Sequence, residues 1–519
     1  MIVTSTQTNI SVVAKAPADW KTVVVFVTQG AKAADGASAA AAAGMDAATA
    51  AARLLSAGAS KGKAREIVFD LLENQGNIRR VYVAGIGKDE KLTTENLRQS
   101  AAAVAKALAR HQVNDATIIL PGLKAISPAQ VADALVSGLM LVGFDYQECK
   151  GTAAKKGDEE FKRALNVKLV AADDLKLVEA AARTSRIVAD AQNFCRTIAN
   201  RPGNVVYPAA LAKIAVDMAR QTKLKCTIFD EKKLAKLKMG GILAVGNGSI
   251  ATPPRLIVLE HKPTKAHGKP LLLVGKAVTF DTGGISIKPA DKMGKMIYDK
   301  CGGVTVLGLM YAAAELKLPL HIVGVIPSAE NAVSSRAYRP GDVITMYNGV
   351  TVEVTNTDAE GRLILGDALA WGIEQYQPAA VIDLATLTGG VIVALGRQIA
   401  GMMCNNDALS AEILGSADNA GEKLWRLPLW EEQREQIKSD LADIMNSAGR
   451  EAHPLQGGAF LSHFVPDDGS VPWAHLDIAG VADTEKDLPY YVKGATGWGV
   501  RTLVNWMTAR SLSKPVTAR

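Results

Sequence analysis

Leu271-Leu272-Leu273-Val274-Gly275-Lys276-Ala277-Val278-Thr279-Phe280-Asp281-Thr282-Gly283-Gly284 begins as a buried strand and ends as a loop that a ligand can approach. The four apolar residues in succession read as a strand covered on both faces, and the closing glycines let the backbone come close to a bound group. Ile285-Ser286-Ile287-Lys288-Pro289 follows, and a helix-like segment from about Met293 carries Asp299. In an α/β sheet, parallel strands deliver their C-terminal ends to one edge, where loops after different strands meet.

A second stretch of the same kind lies downstream. Val350-Thr351-Val352-Glu353-Val354 reads as a strand, Asn356-Thr357-Asp358-Ala359-Glu360-Gly361-Arg362-Leu363 follows, and a helix-like run comes next. Taken alone, Asp358 is a good N-cap, Glu360 suits a first helical turn, and Arg362 suits a solvated helix face. Asp281 before Thr-Gly-Gly is a common turn residue, and Asp299, four after Lys295, suits a surface ion pair. Two adjacent strand-loop-helix units carrying all of these acids favour convergence of Asp281, Asp299, Asp358 and Glu360. Four carboxylates at one sheet edge repel one another unless cations neutralise them, and oxygen-rich sites suit magnesium, manganese or zinc. Two divalent ions match that charge. A pair about 3.5 to 4 Å apart acidifies a bridging water and clamps nucleophile and substrate together.

These residues resemble the signature of the cytosolic leucine aminopeptidase family, two-metal peptidases. The resemblance rests on Asn356 to Leu363 and on Val274-Gly275-Lys276 through Ile287-Lys288-Pro289. Ser328-Ala329-Glu330-Asn331, Tyr338-Arg339-Pro340-Gly341-Asp342 and Ala385-Thr386-Leu387-Thr388-Gly389 add to it. It covers about residues 195 to 505 closely and the N-terminal part in outline. It implies one metal held by Asp281, Asp358 (side chain and carbonyl) and Glu360, and a second held by Lys276, Asp281, Asp299 and Glu360. As a ligand Lys276 must be neutral, so an adjacent cation has to depress its pKa. Lys288 is expected to stay charged and stabilise the tetrahedral intermediate. The resemblance also implies that Arg362 holds a bicarbonate ion acting as general base, which makes chemical sense of a site whose carboxylates are committed to metal and which has no histidine motif nearby. His321, in an apolar run, reads as structural. Met296, Thr386, Gly389 and Ala495 are expected around the first side chain of a short peptide substrate, an apolar pocket favouring leucine or methionine. A methyl group changes such a preference by about 1 to 3 kcal/mol, so breadth is expected.

This chain departs from the family pattern at Ile297, where a basic residue is common, and at Gly303 and Gly390, where alanine is frequent. None is a ligand position. The metals expected are manganese or zinc, with cobalt and magnesium as alternatives set by supply. The implied assembly is a homohexamer of threefold by twofold symmetry.

Other readings are weaker. There is no His-Glu-x-x-His or P-loop, and Gly85-Ile86-Gly87 lacks the third glycine of a dinucleotide turn. The charge of +7 comes from 59 basic against 52 acidic residues, with clusters at Lys61 to Arg65, Lys155-Lys156 and Lys232 to Lys236. Without interleaved aromatics these read as solvated surface. A DNA-binding architectural protein on the same fold remains the alternative from another class, and a two-metal phosphoesterase a third.

At 519 residues the chain is too long for one ordinary core. The expected fold is α/β: a smaller N-terminal α/β domain over 1-172, a linker helix over 173-199, and a larger C-terminal α/β domain over 200-519. The larger domain is expected to have a central mixed sheet carrying the two-metal site. Alternating strand-like and helix-like runs at Val23 to Val27, Val81 to Gly85, Thr94 to His111 and Thr117 to Leu120 define the first domain. The alanine-rich stretch from Ala31 to Ser60 reads as partly helical, Lys150 to Lys162 as a charged connector, and Leu175 to Ile198 as one long helix. Five scattered cysteines without a Cys-x-x-Cys spacing, no evident N-terminal signal, and apolar runs too short for a bilayer point to a cytoplasmic setting.

Overall fold

The computed structural model describes residues 2–74, 76–155 and 164–512. The connector expected over Lys150 to Lys162 lies largely outside them, as does Lys156. Two compact units emerge, one of Thr4–Asn193 with Lys486–Lys493, the other of Phe194–Glu485 with the segment from Gly494 onward.

The first unit is built on a six-stranded sheet of β1 (Thr8–Val13), β2 (Thr22–Val27), β3 (Ile67–Asn74), β4 (Asn77–Gly85), β5 (Asp115–Ile119) and β6 (Leu165–Val170), in spatial order β1-β6-β5-β2-β4-β3. All neighbours pair in parallel except β3, which runs antiparallel to β4. Thr22–Val27 is buried along its whole length, as a β-branched central strand covered on both faces should be. The alanine-rich stretch forms two helices, α1 (Ala33–Ala40) and α2 (Met45–Ser56). Ala40, Ala47, Ala50 and Ala51 are fully buried against β2 and β4, so the small side chains serve close packing. Helix α3 (Thr94–Arg110) starts at a reciprocal Thr93/Asn96 cap, and α4 (Pro128–Val142) at a Ser127/Gln130 capping box with Pro128 in its first turn. They pack on each other above Val24, Tyr82 and Ile118. Helix α5 (Leu175–Asn200) is continuous for 26 residues.

The second unit holds a nine-stranded mixed sheet. Its strands are β7 (Lys225–Phe229), β8 (Arg255–His261), β9 (His267–Gly275), β10 (Ala277–Asp281), β11 (Leu320–Asn331), β14 (Ala380–Ala385), β15 (Ala400–Cys404), β16 (Leu424–Arg426) and β18 (Trp473–Asp477). The order is β16-β15-β18-β14-β9-β11-β8-β7, with β10 continuing alongside β11. The centre, β18-β14-β9-β11, is parallel. Helices α6 (Cys301–Glu315) and α7 (Gly361–Tyr376) both pack on β9 and β11. Leu272 and Val274 join the core that contains Leu363, Leu365 and Leu369 of α7, as strand alternation requires. No helix among the described residues is long and apolar enough to cross a membrane.

Two elements differ from expectation. Ala277–Asp281, expected in a loop, forms β10 and pairs in parallel with β11, which places Asp281 at a strand end beside Asn331. Thr351–Glu353 (β13) is not in the main sheet; it pairs with β12 (Val343–Thr345) and β17 (Ile444–Met445) in a separate three-stranded sheet. The acid-bearing segment after it therefore reaches the end of β10 from outside the main sheet.

Candidate metal centre

Lys276 sits between β9 and β10, where its N–H donates to Leu384 O at 3.0 Å. The side chain is buried; its Nζ lies 2.8 Å from Asp299 Oδ1 and 2.7 Å from Glu360 Oε1, and donates to Thr386 O at 2.9 Å. Helix α7 begins directly against this lysine: a Cβ at Gly361 would fall 2.6 Å from Lys276 Nζ. Lys288 Nζ reaches Asp281 Oδ2 at 2.8 Å and pairs with Asp358 Oδ1. One carboxylate oxygen each from Asp281, Asp358 and Glu360 lies within 4.8 Å of the others.

The two acid-bearing loops are tied together by neutral groups. Thr357 Oγ1 donates to Gly283 O at 2.6 Å and accepts from Ser286 N at 2.8 Å. Asn331, at the end of β11, donates through Nδ2 to both Asp281 Oδ1 (2.8 Å) and Thr357 O (3.0 Å), and Tyr338 Oη donates to the same carbonyl at 2.7 Å. Gly284 has φ +67°, and a Cβ there would meet Asn331 Oδ1 and Thr357 Oγ1 at 2.9 Å, so the turn requires glycine. Neither Asn331 nor Tyr338 stood out as functional by residue type, although both fall in stretches that carry the family resemblance.

Helix capping, the bland account of the second stretch, does not describe its acids. Helix α7 starts at Gly361 with Glu360 in the N-cap position in αR conformation and making no side-chain cap bond, because its carboxylate is turned to Lys276. Asp358 is turned to Lys288. Asp299 follows a 3-10 turn, Met293–Tyr298, and pairs with Lys276, while Lys295 pairs with Glu485. Arg362 is buried rather than solvated: Nη1 donates to Asn446 O at 2.8 Å, the guanidinium lies 5.9 Å from the Phe460 ring centre, and Nε has no partner among the described residues. His321 bonds Glu260 at 2.8 Å. A histidine does come within electrostatic reach of Arg362. His453, at the start of the helix His453–Ser462, is pushed down to about 4 by burial and by that charge.

Burial dominates the electrostatics. It raises Asp299 well above the usual carboxylate range, with Glu360 and Asp281 adding to the shift against Lys276. Burial and the charges of Glu360 and Asp281 push Asp358 up to about 6, and burial likewise raises Asp281. For Glu360 the same desolvation is outweighed by Lys276 and Lys288, which hold it below its ordinary value. Burial alone would lower both lysines, but the surrounding acids overcome it and hold them above the usual lysine value, so both are ammonium in the metal-free protein. A neutral Lys276 thus demands that a cation displace its proton. Burial takes Arg362 down to about 10, still charged at neutral pH.

The residues present fit divalent cations. Four acids face two ammonium groups, so the cluster with all four ionised, the form that ligates a metal, is short of positive charge, and Asp299 Oδ2 is buried without a partner among the described residues. Of the residues expected around a substrate side chain, Thr386 Oγ1 donates to Asp299 Oδ1 at 2.7 Å. Met296 is half-buried on the 3-10 turn, and Gly389 is exposed, with open space where a Cβ would project. Ala495 N donates to Asn200 Oδ1 (3.1 Å), which also accepts from Tyr298 Oη (3.2 Å), so Asn200 joins the Ala495 segment to the turn bearing Met296.

The fold and the site define an α/β protein built around a buried carboxylate–lysine cluster able to hold divalent cations. Residues 193–504 match the catalytic domain of the cytosol aminopeptidase family and residues 24–153 match its N-terminal domain. A probable cytosol aminopeptidase of Cenarchaeum symbiosum is 41% identical over 442 residues, 83% of this chain and 86% of that one. Another, of Solibacter usitatus, is 42% identical over 453 residues, 87% and 91%. Among solved structures, a mutant of tomato leucine aminopeptidase superposes with a TM-score of 0.84 at 29% identity, covering 97% of both chains. The bottromycin maturation enzyme BotP in complex with Mn gives 0.83 at 29%, covering 95% of this chain and 99% of that one. The chain belongs to the cytosol aminopeptidase family.

Proposed function

We propose that this chain is a two-metal aminopeptidase that removes the N-terminal residue from short peptides, preferring leucine, methionine or another apolar residue. The observation that carries the reading is the interleaving of Lys276, Asp281, Lys288, Asp299, Asp358 and Glu360 in one buried cluster of a chain from this family. One metal would be held by Asp281, Asp358 and Glu360 and the other by Lys276, Asp281, Asp299 and Glu360. When bound, the pair supplies an acidified water and an electrophile for the peptide carbonyl. Manganese or zinc suits this donor set, as do cobalt and magnesium.

The chain's own residues do the rest. Lys288 remains an ammonium on the loop after Gly284 and is the donor available to the carbonyl oxygen as negative charge develops there. Arg362, fixed by Asn446 and with Nε unpartnered, would hold bicarbonate, which supplies the general base that committed carboxylates cannot. Thr386, Met296, Gly389 and Ala495 would surround the first side chain, and Gly389 leaves room for a large one. A free terminal amine is the one substrate group that can join the donor set while the first peptide bond is attacked, so residues leave singly.

In this reading residues 1-172 form the N-terminal domain, 173-199 the linker helix and 200-519 the catalytic domain, in a cytoplasmic homohexamer. The DNA-binding alternative gains little: Lys233 of the Lys232–Lys236 cluster lies 5.9 Å from the Phe229 ring, and the Lys61 and Lys63 N–H groups both bond Glu66. The test is hydrolysis of a chromogenic leucine amide by chelated protein before and after manganese or zinc is returned. Activity that persists undiminished in metal-free protein would sink the proposal.

A further inference from the structure

The sheet of the N-terminal unit changes character along its strands. Helices α1 and α2 cover one face over β2, β3 and β4, while among the described residues no helix packs in the same way on the β1-β6-β5 half of that face. Strand register arranges its side chains in rows. Val13, Val170 and Ile119 are aligned and apolar; two residues back, Ser11, Lys168 and Thr117 are aligned; two further back, Asn9, Asn166 and Asp115. A parallel sheet covered on both faces would carry apolar residues in all three rows. Two of the rows are instead filled with hydrogen-bonding groups.

A cleft of about 420 Å³ opens over these polar rows, within the size range of small-molecule sites. The segment before β2 closes its side with Pro17, Asp19 and Trp20; Trp20 is held in place by a bond from its indole N–H to Ala43 O at 2.9 Å. On the floor, Asn9 Nδ2 donates to Asn166 Oδ1 (3.0 Å), and Asn166 Nδ2 donates to Asp115 Oδ1 (3.1 Å), a ladder that orients the Asp115 carboxylate. Lys21, Lys168, Asp19 and Asp115 all line the cleft and are exposed, and among the described residues no ion pair within 4.0 Å involves any of them. Elsewhere on this unit comparable charges do pair, as Arg53 does with Asp70 at 2.6 Å.

Two cations and two anions in one cleft disfavour a polyanion, which the aspartates would repel, and equally a polycation. They suit a molecule that carries both signs close together. We propose that this cleft binds a small zwitterion, an α-amino acid or dipeptide, with its ammonium on Asp115, its carboxylate on Lys168 beside the Ser11 and Thr117 hydroxyls, and its side chain toward Pro17 and Trp20. Charge-assisted hydrogen bonds from both ends give the selectivity. The inference does not depend on the aminopeptidase reading, since every residue it uses lies in the N-terminal unit.

The test is calorimetric titration of the full-length chelated protein, in which metal-dependent hydrolysis cannot consume the probe, with leucine and with leucyl-leucine. N-acetylleucine, which lacks the ammonium, and leucinamide, which lacks the carboxylate, serve as controls. Saturable binding with Kd on the order of 1 mM or tighter is expected for a ligand of this size. Each control and each of the variants Lys168→Met and Asp115→Asn should weaken it roughly tenfold. Both variants should recover the same metal-restored activity as the unmodified protein, whatever that activity is. Binding by leucine alone or by the dipeptide alone would identify the source of the zwitterion. No saturable binding to the unmodified protein, equal binding of the controls, or variants that bind as tightly as the unmodified protein would each overturn the proposal.

Discussion

Replacing Asn331 by Ala removes one side chain from beneath the carboxylate cluster without touching any proposed ligand. Its Nδ2 donates to the Asp281 carboxylate at 2.8 Å and to the Thr357 carbonyl at 3.0 Å, and the residue is 1% exposed. A hydrogen bond to a charged group contributes about 1.5 to 3 kcal/mol and one to a neutral carbonyl about 0.5 to 1.5. Tyr338 still satisfies Thr357 O after the change, and Gly283 N still donates to Asp281 Oδ1 at 2.9 Å, so the loss should fall in the lower half of the sum. The expected destabilisation is about 2 to 3 kcal/mol, read as a lower urea midpoint with unchanged slope. Because Asp281 also loses its orientation, affinity for manganese measured by chelator competition should fall about 10- to 100-fold, the usual cost of removing a group that steers a ligand. Asn331→Asp should weaken metal affinity further in kind, since a carboxylate in place of the amide donor faces Asp281 with like charge. An alanine variant with the stability and manganese affinity of the unmodified protein would refute the positioning argument.

Other outcomes are as definite. Asp358→Ala and Glu360→Ala should each abolish metal-dependent turnover while circular dichroism shows the fold intact, and full activity in either would remove that residue from the ligand set. Arg362→Ala should lower turnover more than metal occupancy; a bicarbonate response identical to that of the unmodified protein would count against its role. Asp367 is fully buried in α7, accepts N–H bonds from Ile242 (2.9 Å) and Tyr347 (2.8 Å), and is pushed up to about 7 by burial. Its folded pKa lies above its unfolded one, so the folded state binds the extra proton. Its contribution is full below about pH 4 and is lost as pH rises toward 7, by at most about 4 kcal/mol. Stability relative to Asp367→Asn, taken from urea midpoints at pH 5 and pH 8, should therefore favour the unmodified protein more at pH 5; the opposite trend would show that the N–H bonds outweigh burial.

The α/β architecture was legible because it is written in short-range patterns. Leu271–Val274 announces a strand buried on both faces, and the runs Thr94 to His111 and Leu175 to Ile198 announce helices, which the structure shows as Thr94–Arg110 and Leu175–Asn200. The acids that gather at the candidate site were also legible, since Asp281, Asp358 and Glu360 all follow strand-like runs in the sequence, although Asp281 proves to end a strand rather than to lie in a loop. The layout that connects them was not. Nothing local says that Thr351–Glu353 leaves the main sheet, because strand partners are chosen by tertiary packing and every short strand carries the same hydrogen-bonding backbone. The capping signal at Asp358 and Glu360 was sound chemistry that lost to stronger partners: an ammonium group in a buried site outbids a backbone N–H for a carboxylate.

By itself the sequence determined which residue types were available for chemistry and the periodicities that make strands and helices. Only the tertiary structure decided that Lys276 and Lys288 stand between the acids as their counter-charges, that Asn331 and Tyr338 fix the loop carrying Asp358, and that Arg362 is buried beside Phe460. It also decided that Lys168 and Asp115 line one cleft in the N-terminal unit. The physical reason is range. Helix and strand propensities act over a few residues, whereas the energy of a charge depends on its burial and on partners brought from tens of residues away, and both are set when the chain closes on itself.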